Sequence, residues 1–202
     1  MAFDLKKSVT NYFKKKKPLS IFFDALFVLI ILLLLIPGTR KETAAFFIRW
    51  TSFPASTLDK DEQYQVSREA GNWQLFDMNG KQVSFDELNQ KPVFLNIWAT
   101  WCPPCIAEIP GISDLHEDFA NGVNFVLISN ENPEVIKAFL EKNNYADLPV
   151  YYASYIPRDF SSQSIPATFV VDRKGTVVLK KLGAARWNSG KTRKLLDQLK
   201  EQ

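Results

Sequence analysis

The 202 residues include two cysteines, and both fall in the run Trp101-Cys102-Pro103-Pro104-Cys105. Two intervening residues let both sulfurs meet at one helix start and close a small disulfide ring, which is what reversible two-electron exchange between thiols requires. Partial positive charge at a helix N-terminus favours a thiolate on Cys102, and the thiolate is the attacking species. As the N-cap residue, Cys102 is expected to be the exposed nucleophile. Cys105, one turn in, is better shielded and suited to resolve a mixed disulfide. Pro103 and Pro104 sit where helix amides lack intrahelical partners, so they stiffen the turn without loss of a backbone bond. They also remove two N–H donors from the neighbourhood of the sulfur. That predicts a Cys102 less acidic than in a strongly oxidising dithiol.

Other uses of the pair fit poorly. A staple across two residues closes too small a loop to stabilise much. Zinc needs four ligands, and the chain supplies two Cys and one His. Residue 106 is Ile rather than His, so c-type haem attachment fails. His116 has Asp114, Glu117 and Asp118 as neighbours, the composition of a solvated face. No cofactor and no metal are expected.

The elements that must position the dithiol are readable around it. Pro92–Ala99 (PVFLNIWA) is almost wholly apolar, as a strand buried on both faces would be. A helix follows from about Pro103 to Ala120, with Ile106, Ile109, Ile112, Leu115 and Phe119 at three- and four-residue spacing. Val123–Ser129 reads as a second buried strand, and Asn132-Pro133 as the N-cap and first residue of a helix to about Asn143. Before this block, Trp73–Phe76 is a short strand candidate, with a short helical stretch around Phe85–Leu88. After it come a short strand at Leu148–Tyr152, an irregular crossing over 153–164, and strands Ala167–Val171 and Thr176–Leu182. The last two flank the hairpin turn Asp172-Arg173-Lys174-Gly175. A closing helix runs from about Ser189 to Lys200. This order predicts an α/β domain, a central mixed sheet flanked by helices. Tyr145, Tyr151, Tyr152 and Tyr155 are candidates to line a partner groove above Pro166.

Charge is distributed unevenly. Residues 1–36 carry six lysines against Asp4 and Asp24, a net +4, while the remaining 166 residues sum to −1. No basic domain exists to track a phosphate backbone, so nucleic acid is not an expected partner. The lysines precede an apolar run, Leu19 to Ile36, which as a helix spans about 27 Å, near the hydrocarbon thickness of a bilayer. Pro37-Gly38 ends it. The pattern predicts a basic cytoplasmic tail at 1–18, a transmembrane signal anchor at 19–36, a juxtamembrane linker at 37–63 and a catalytic domain at 64–202. The lysine block predicts a cytoplasmic N-terminus and an exported domain, held at the cell (inner) membrane and facing the periplasm or cell exterior. No small-x-small site abuts the span, which speaks against a cleaved signal peptide. Phe46, Phe47, Ile48, Trp50 and Phe53 fit a stretch lying along the membrane surface, and Asp59-Lys60-Asp61-Glu62 a solvated joint.

Several motifs in matching order resemble the thioredoxin superfamily, and within it the membrane-anchored TlpA/ResA/DsbE-like thiol-disulfide oxidoreductases. They are Asn96-Ile97-Trp98-Ala99-Thr100-Trp101-Cys102-Pro103-Pro104-Cys105, Pro110 five residues after Cys105, Ser164-Ile165-Pro166-Ala167-Thr168, and Gly175 with Gly183. The resemblance spans about residues 64–201 and implies a thioredoxin fold in which Ile165-Pro166 is cis and faces the dithiol. It implies that Trp101, Ile165 and Pro166 shape where an extended substrate strand docks. Cys102 and Cys105 are then the redox disulfide and catalytic residues, with Glu108 a third, a buried acid that tunes Cys105 or accepts its proton. Classical thioredoxins place a buried acid where this chain has Asn96, so that residue cannot serve as the proton acceptor here. The implied activity is thiol-disulfide exchange on exported proteins, in the reducing direction, with apocytochrome c as one example. A membrane electron donor would recharge the dithiol. Two alternatives on the same fold are weaker. A thiol peroxidase wants Thr where Ala99 stands, three residues before Cys102. A copper-binding module wants CxxxC spacing and a His near the site.

Overall fold

The computed structural model describes residues 17–35, 48 and 50–202. The lysines before Lys17, the Pro37-Gly38 stop, Phe46 and Phe47 lie outside the described residues. The chain divides into two compact units, Met1–Thr43 and Ala44–Gln202. In the first, α1 (Pro18–Leu35) coincides with the apolar run, and Leu19, Phe22, Phe23 and Phe27 are exposed along it. Among the described residues no helix is long and apolar enough to cross a membrane.

The second unit is built on one eight-stranded sheet. Its strands are β1 (Tyr64–Gln65), β2 (Gln74–Asp77), β3 (Gln82–Ser84), β4 (Val93–Ile97), β5 (Asn124–Ser129), β6 (Val150–Tyr152), β7 (Ala167–Val171) and β8 (Thr176–Leu182), in the spatial order β1-β8-β7-β4-β5-β6-β2-β3. β4, β5 and β6 run parallel, and the neighbouring pairs are antiparallel. The helices are α2 (Arg68–Gly71), α3 (Phe85–Leu88), α4 (Pro103–Phe119), α5 (Pro133–Lys142) and α6 (Gly190–Lys200).

All five residues of β4 are buried, as its apolar run predicts, because layers cover both faces of the central strands. Alternation along the pleat divides its side chains. Phe94 belongs to a core with Ile109, Ile112 and Leu115 of α4 and with Trp187. Val93, Leu95 and Ile97 belong to the opposite core, with Trp73, Phe85, Phe160 and Phe169. Asn96, in phase with Phe94, is therefore a polar residue on the α4 side, directly opposite Thr168 of β7. The β7–β8 turn closes as expected. Asp172 Oδ1 accepts from the backbone N–H groups of Lys174 and Thr176, and Gly175 takes φ +78°, a conformation that suits glycine.

Residues 53–58 already pack against this unit. Ala55 is buried, the Leu58 N–H donates to the Val178 carbonyl, and the Arg186 N–H donates to the Phe53 carbonyl. Trp50 and Phe53 remain 83% and 80% exposed, and Asp59, Lys60, Asp61 and Glu62 are exposed.

Candidate active site

α4 starts after a five-residue connection from the end of β4, and Cys102 is its N-cap residue with both prolines at the first helical positions. Cys102 and Cys105 form a disulfide with S–S 2.13 Å. The Cys105 N–H donates to Cys102 Sγ at 3.3 Å, and Cys102 Sγ lies 3.8 Å from the carbonyl oxygen of Ile165. The Ile165–Pro166 bond is cis, Pro166 is buried and Ile165 half-buried. The loop before β7 thus lies against the outer sulfur.

One expectation is corrected. Cys102 is only 3% exposed, against 0% for Cys105. In the oxidised pair its sulfur is turned onto Cys105 and covered by the Ile165 carbonyl. The exposed group at the site is its neighbour Trp101, at 59%.

Behind the dithiol stands a buried polar cluster. Glu108, one turn beyond Cys105, is 4% exposed. Its Oε1 accepts from Asn96 Nδ2 at 2.7 Å, and its Oε2 accepts from Trp187 Nε1 at 2.8 Å and the Ala185 N–H at 3.2 Å. Asn96 Nδ2 also donates to Thr168 Oγ1 at 2.8 Å. Burial pushes the Glu108 carboxyl up to about 7. The donors Trp187, Asn96 and Ala185 and the charge of Lys181 oppose that rise without cancelling it. A carboxyl with that value takes up and releases a proton near neutral pH, as a general base or acid must. Glu108 also lines a cleft of about 430 Å³ with Trp50, Gly111, Asp114, Arg186 and Trp187, which opens a route from the buried carboxyl toward solvent.

Sequence reasoning missed Trp187 and Ala185 as members of this cluster and the partnership of Asn96 with Glu108. The signal for the latter was present, since an amide inside an otherwise apolar strand needs a hydrogen-bond partner. It also missed Glu131, whose carboxylate holds Thr100, two residues before Cys102.

His116 is not the solvated residue its neighbours suggest. It is half-buried, its ring meets Phe125 edge-on, and burial lowers its pKa. Eleven residues along α4 from Cys105, at about 1.5 Å each, it is some 16 Å from the dithiol. The tyrosines do not form one groove. Tyr145 packs with the α4-side core and Tyr151 with the opposite one, while Tyr155 meets the Trp73 ring.

Residues 66–180 match the AhpC/TSA family. Among curated proteins, a thiol-disulfide oxidoreductase ResA of Bacillus cereus is 30% identical over 139 residues, 67% of this chain and 80% of that one. A ResA of Bacillus thuringiensis is 28% identical over 159 residues, 76% of this chain and 86% of that one. Among solved structures, a thiol:disulfide interchange protein of Chlorobium tepidum superposes with a TM-score of 0.52 at 25% identity, covering 74% of this chain and 97% of that one. The paired cysteines at the start of α4, the mixed sheet that presents them and these relatives agree, and the chain belongs to the AhpC/TSA family of the thioredoxin superfamily as a thiol-disulfide oxidoreductase acting on protein thiols and disulfides.

Proposed function

We propose that the protein is a single-pass, membrane-tethered reductase of disulfides in exported proteins, apocytochrome c among the candidate substrates. The uninterrupted apolar run Ala25–Ile36 and the lysines before it support an anchor with a cytoplasmic N-terminus at the inner membrane, and α1 covers most of that run. Tethering raises the local concentration of the dithiol near a membrane electron donor.

In this reading an extended substrate segment docks along Trp101, Ile165 and Pro166. The Cys102 thiolate attacks the substrate disulfide, one substrate sulfur leaves as a thiolate, and a mixed disulfide forms. Cys105 then gives its proton to Glu108, and its thiolate attacks Cys102 Sγ. The second substrate sulfur leaves, and the protein is left with the disulfide seen here. Two electrons from a reduced dithiol of the donor restore it.

The observation that carries the reducing direction is the poverty of donors at Cys102. Among the described residues only the Cys105 N–H donates to its sulfur, and Pro103 and Pro104 have none to give. A thiolate with little stabilisation leaves the reduced form strongly reducing, whereas a well-stabilised one makes a strong oxidant. Equilibration of the full chain with dithiol buffers of known poise tests this. The expected potential is more negative than about −230 mV, and a value near −120 mV, typical of strong oxidants, overturns the reading.

A further inference from the structure

We infer that the side-chain amide of Asn96 is a two-position relay that turns over when Glu108 takes up a proton, making Asn96 a positioning residue for the proton-accepting carboxyl. This inference rests on the reading of Glu108 as the base for Cys105.

It starts from an accounting of donors and acceptors. Every hydrogen-bond partner of Glu108 is a donor: Asn96 Nδ2 from β4, and the Ala185 N–H and Trp187 Nε1 from the segment after β8. Three other charged side chains face it. Lys181 on β8 favours the carboxylate, while Asp114 and Arg186 line the same cleft. Oε2 accepts two hydrogen bonds and is fully used. A proton must therefore go to Oε1, and no described partner there can accept from it. A buried O–H without an acceptor is costly.

Of the three partners, a backbone N–H and an indole N–H can only donate. A primary amide has an acceptor at one end and donors at the other, so rotation exchanges them. Asn96 is wholly buried, and its Oδ1 has no hydrogen-bond partner. A buried acceptor without a donor in a native core calls for an explanation. Rotation of the amide places Oδ1 2.7 Å from Glu108 Oε1 and 2.8 Å from Thr168 Oγ1, the positions Nδ2 now holds. There it accepts from the new carboxyl O–H. The Thr168 hydroxyl, which accepts from Nδ2 at present, reverses and donates. With Glu108 charged, the cluster leaves one acceptor without a partner. With Glu108 protonated and the amide rotated, it leaves the two N–H groups of Nδ2 without an acceptor, whereas protonation without rotation leaves both Oδ1 and the new O–H alone. These two arrangements leave equal numbers of unpaired groups. Rotation, however, pairs the stronger donor, the carboxyl O–H, with the amide oxygen and leaves only the weaker amide N–H groups without acceptors. The proton on Glu108 is thereby written into the orientation of a β4 side chain six residues before Cys102.

Glu108→Gln tests this, because the new amide must give its oxygen to Trp187 and Ala185 and so presents N–H to Asn96, as the protonated acid presents O–H. The probe is the side-chain amide resonance pair of Asn96 in isotopically labelled full-length protein in detergent micelles, followed from pH 5 to 9. In the wild type, the Asn96 resonances should move with the same midpoint as the Glu108 carboxyl carbon. In Glu108→Gln they should stay at the wild-type low-pH position throughout. Resonances that ignore the Glu108 titration, or that hold the wild-type high-pH position in Glu108→Gln, overturn the relay. Alkylation of the reduced dithiol against pH, measured on the same samples, separates the two readings. If the relay moves but the thiol profile is unchanged in Glu108→Gln, the role of Glu108 as base fails and the relay stands.

Discussion

The carboxylate of Glu131 accepts both hydrogen bonds that Thr100 has to give, the backbone N–H at 2.6 Å on Oε2 and the hydroxyl at 2.8 Å on Oε1. Ser129 locks the acceptor in place. Its hydroxyl donates to Oε2 at 3.2 Å and accepts from the Glu131 N–H at 3.3 Å. The loop leading into the dithiol is thus clamped by a group from the end of the neighbouring parallel strand, β5.

Loss of that clamp should loosen the approach to Cys102. In Glu131→Ala three charge-assisted bonds disappear from a half-buried site, two from Thr100 and one from Ser129, and about 1–3 kcal/mol of stability should go with them. Turnover of a model disulfide should fall about tenfold, since 1.4 kcal/mol of lost positioning corresponds to that factor. Glu131→Gln keeps one oxygen acceptor and should recover part of both. Urea unfolding and disulfide-reduction assays on the three proteins measure the effect. A Glu131→Ala protein that is destabilised but turns over at the wild-type rate would show the clamp to be structural only.

Glu108 makes stability depend on pH in a direction unusual for a carboxylate. Its value is raised from 4.5 to about 7 by burial, so the folded chain holds this proton more tightly than the unfolded chain. The stabilising contribution is complete below about pH 4.5, where both states carry the proton. It declines as pH rises and is gone above about 7, a change on the order of 3 kcal/mol. Glu108→Gln has no such proton, so its stability relative to wild type should rise by that order between pH 4.5 and 8. Other groups contribute equally to both proteins and cancel in the difference; one is His116, whose lowered pKa disfavours the folded state at acid pH. Denaturant midpoints of the oxidised proteins across this range are the measurement, and parallel curves for the two would contradict the assignment.

How much of this was legible before the structure follows from the range of the interactions. β4, α4 and the β7–β8 turn carry their signals locally, in an apolar run, a 3.6-residue period and Asp172…Gly175, and each forms within a few residues of its expected bounds. β1 is two residues long and exists because Tyr64 and Gln65 pair with Val177 and Thr176, more than a hundred positions away. No local pattern encodes that. The same holds at the site. The cysteines and prolines announce themselves by spacing. Trp187 reaches Glu108 across 79 residues, and an acidic residue in a loop, such as Glu131, looks like a solvated charge until its partner is seen. Cys102 was misjudged because helix position sets which sulfur is outermost, while actual exposure depends on the Ile165 carbonyl laid over it from another part of the chain.

Trp187 offers the sharpest separation between packing and proton chemistry. Its ring meets Phe94 edge-on in the core, with centroids 5.1 Å apart, and its Nε1 donates to Glu108 Oε2. Trp187→Phe keeps a smaller aromatic ring in that space and removes the donor, leaving the Ala185 N–H alone on Oε2. The carboxylate then loses a charge-assisted bond, while the protonated acid loses much less. At roughly 1.5–3 kcal/mol for such a bond, the Glu108 midpoint should climb by about one to two pH units. With Glu108 as the base for Cys105, the resolving step at pH 7 should slow about tenfold and recover as pH approaches 9. Single-turnover release of substrate from the mixed disulfide, measured from pH 6 to 10, reads this directly. Repacking around the smaller ring would lower the rate at every pH without moving the midpoint, so a depressed but unshifted profile would count against the donor role of the indole.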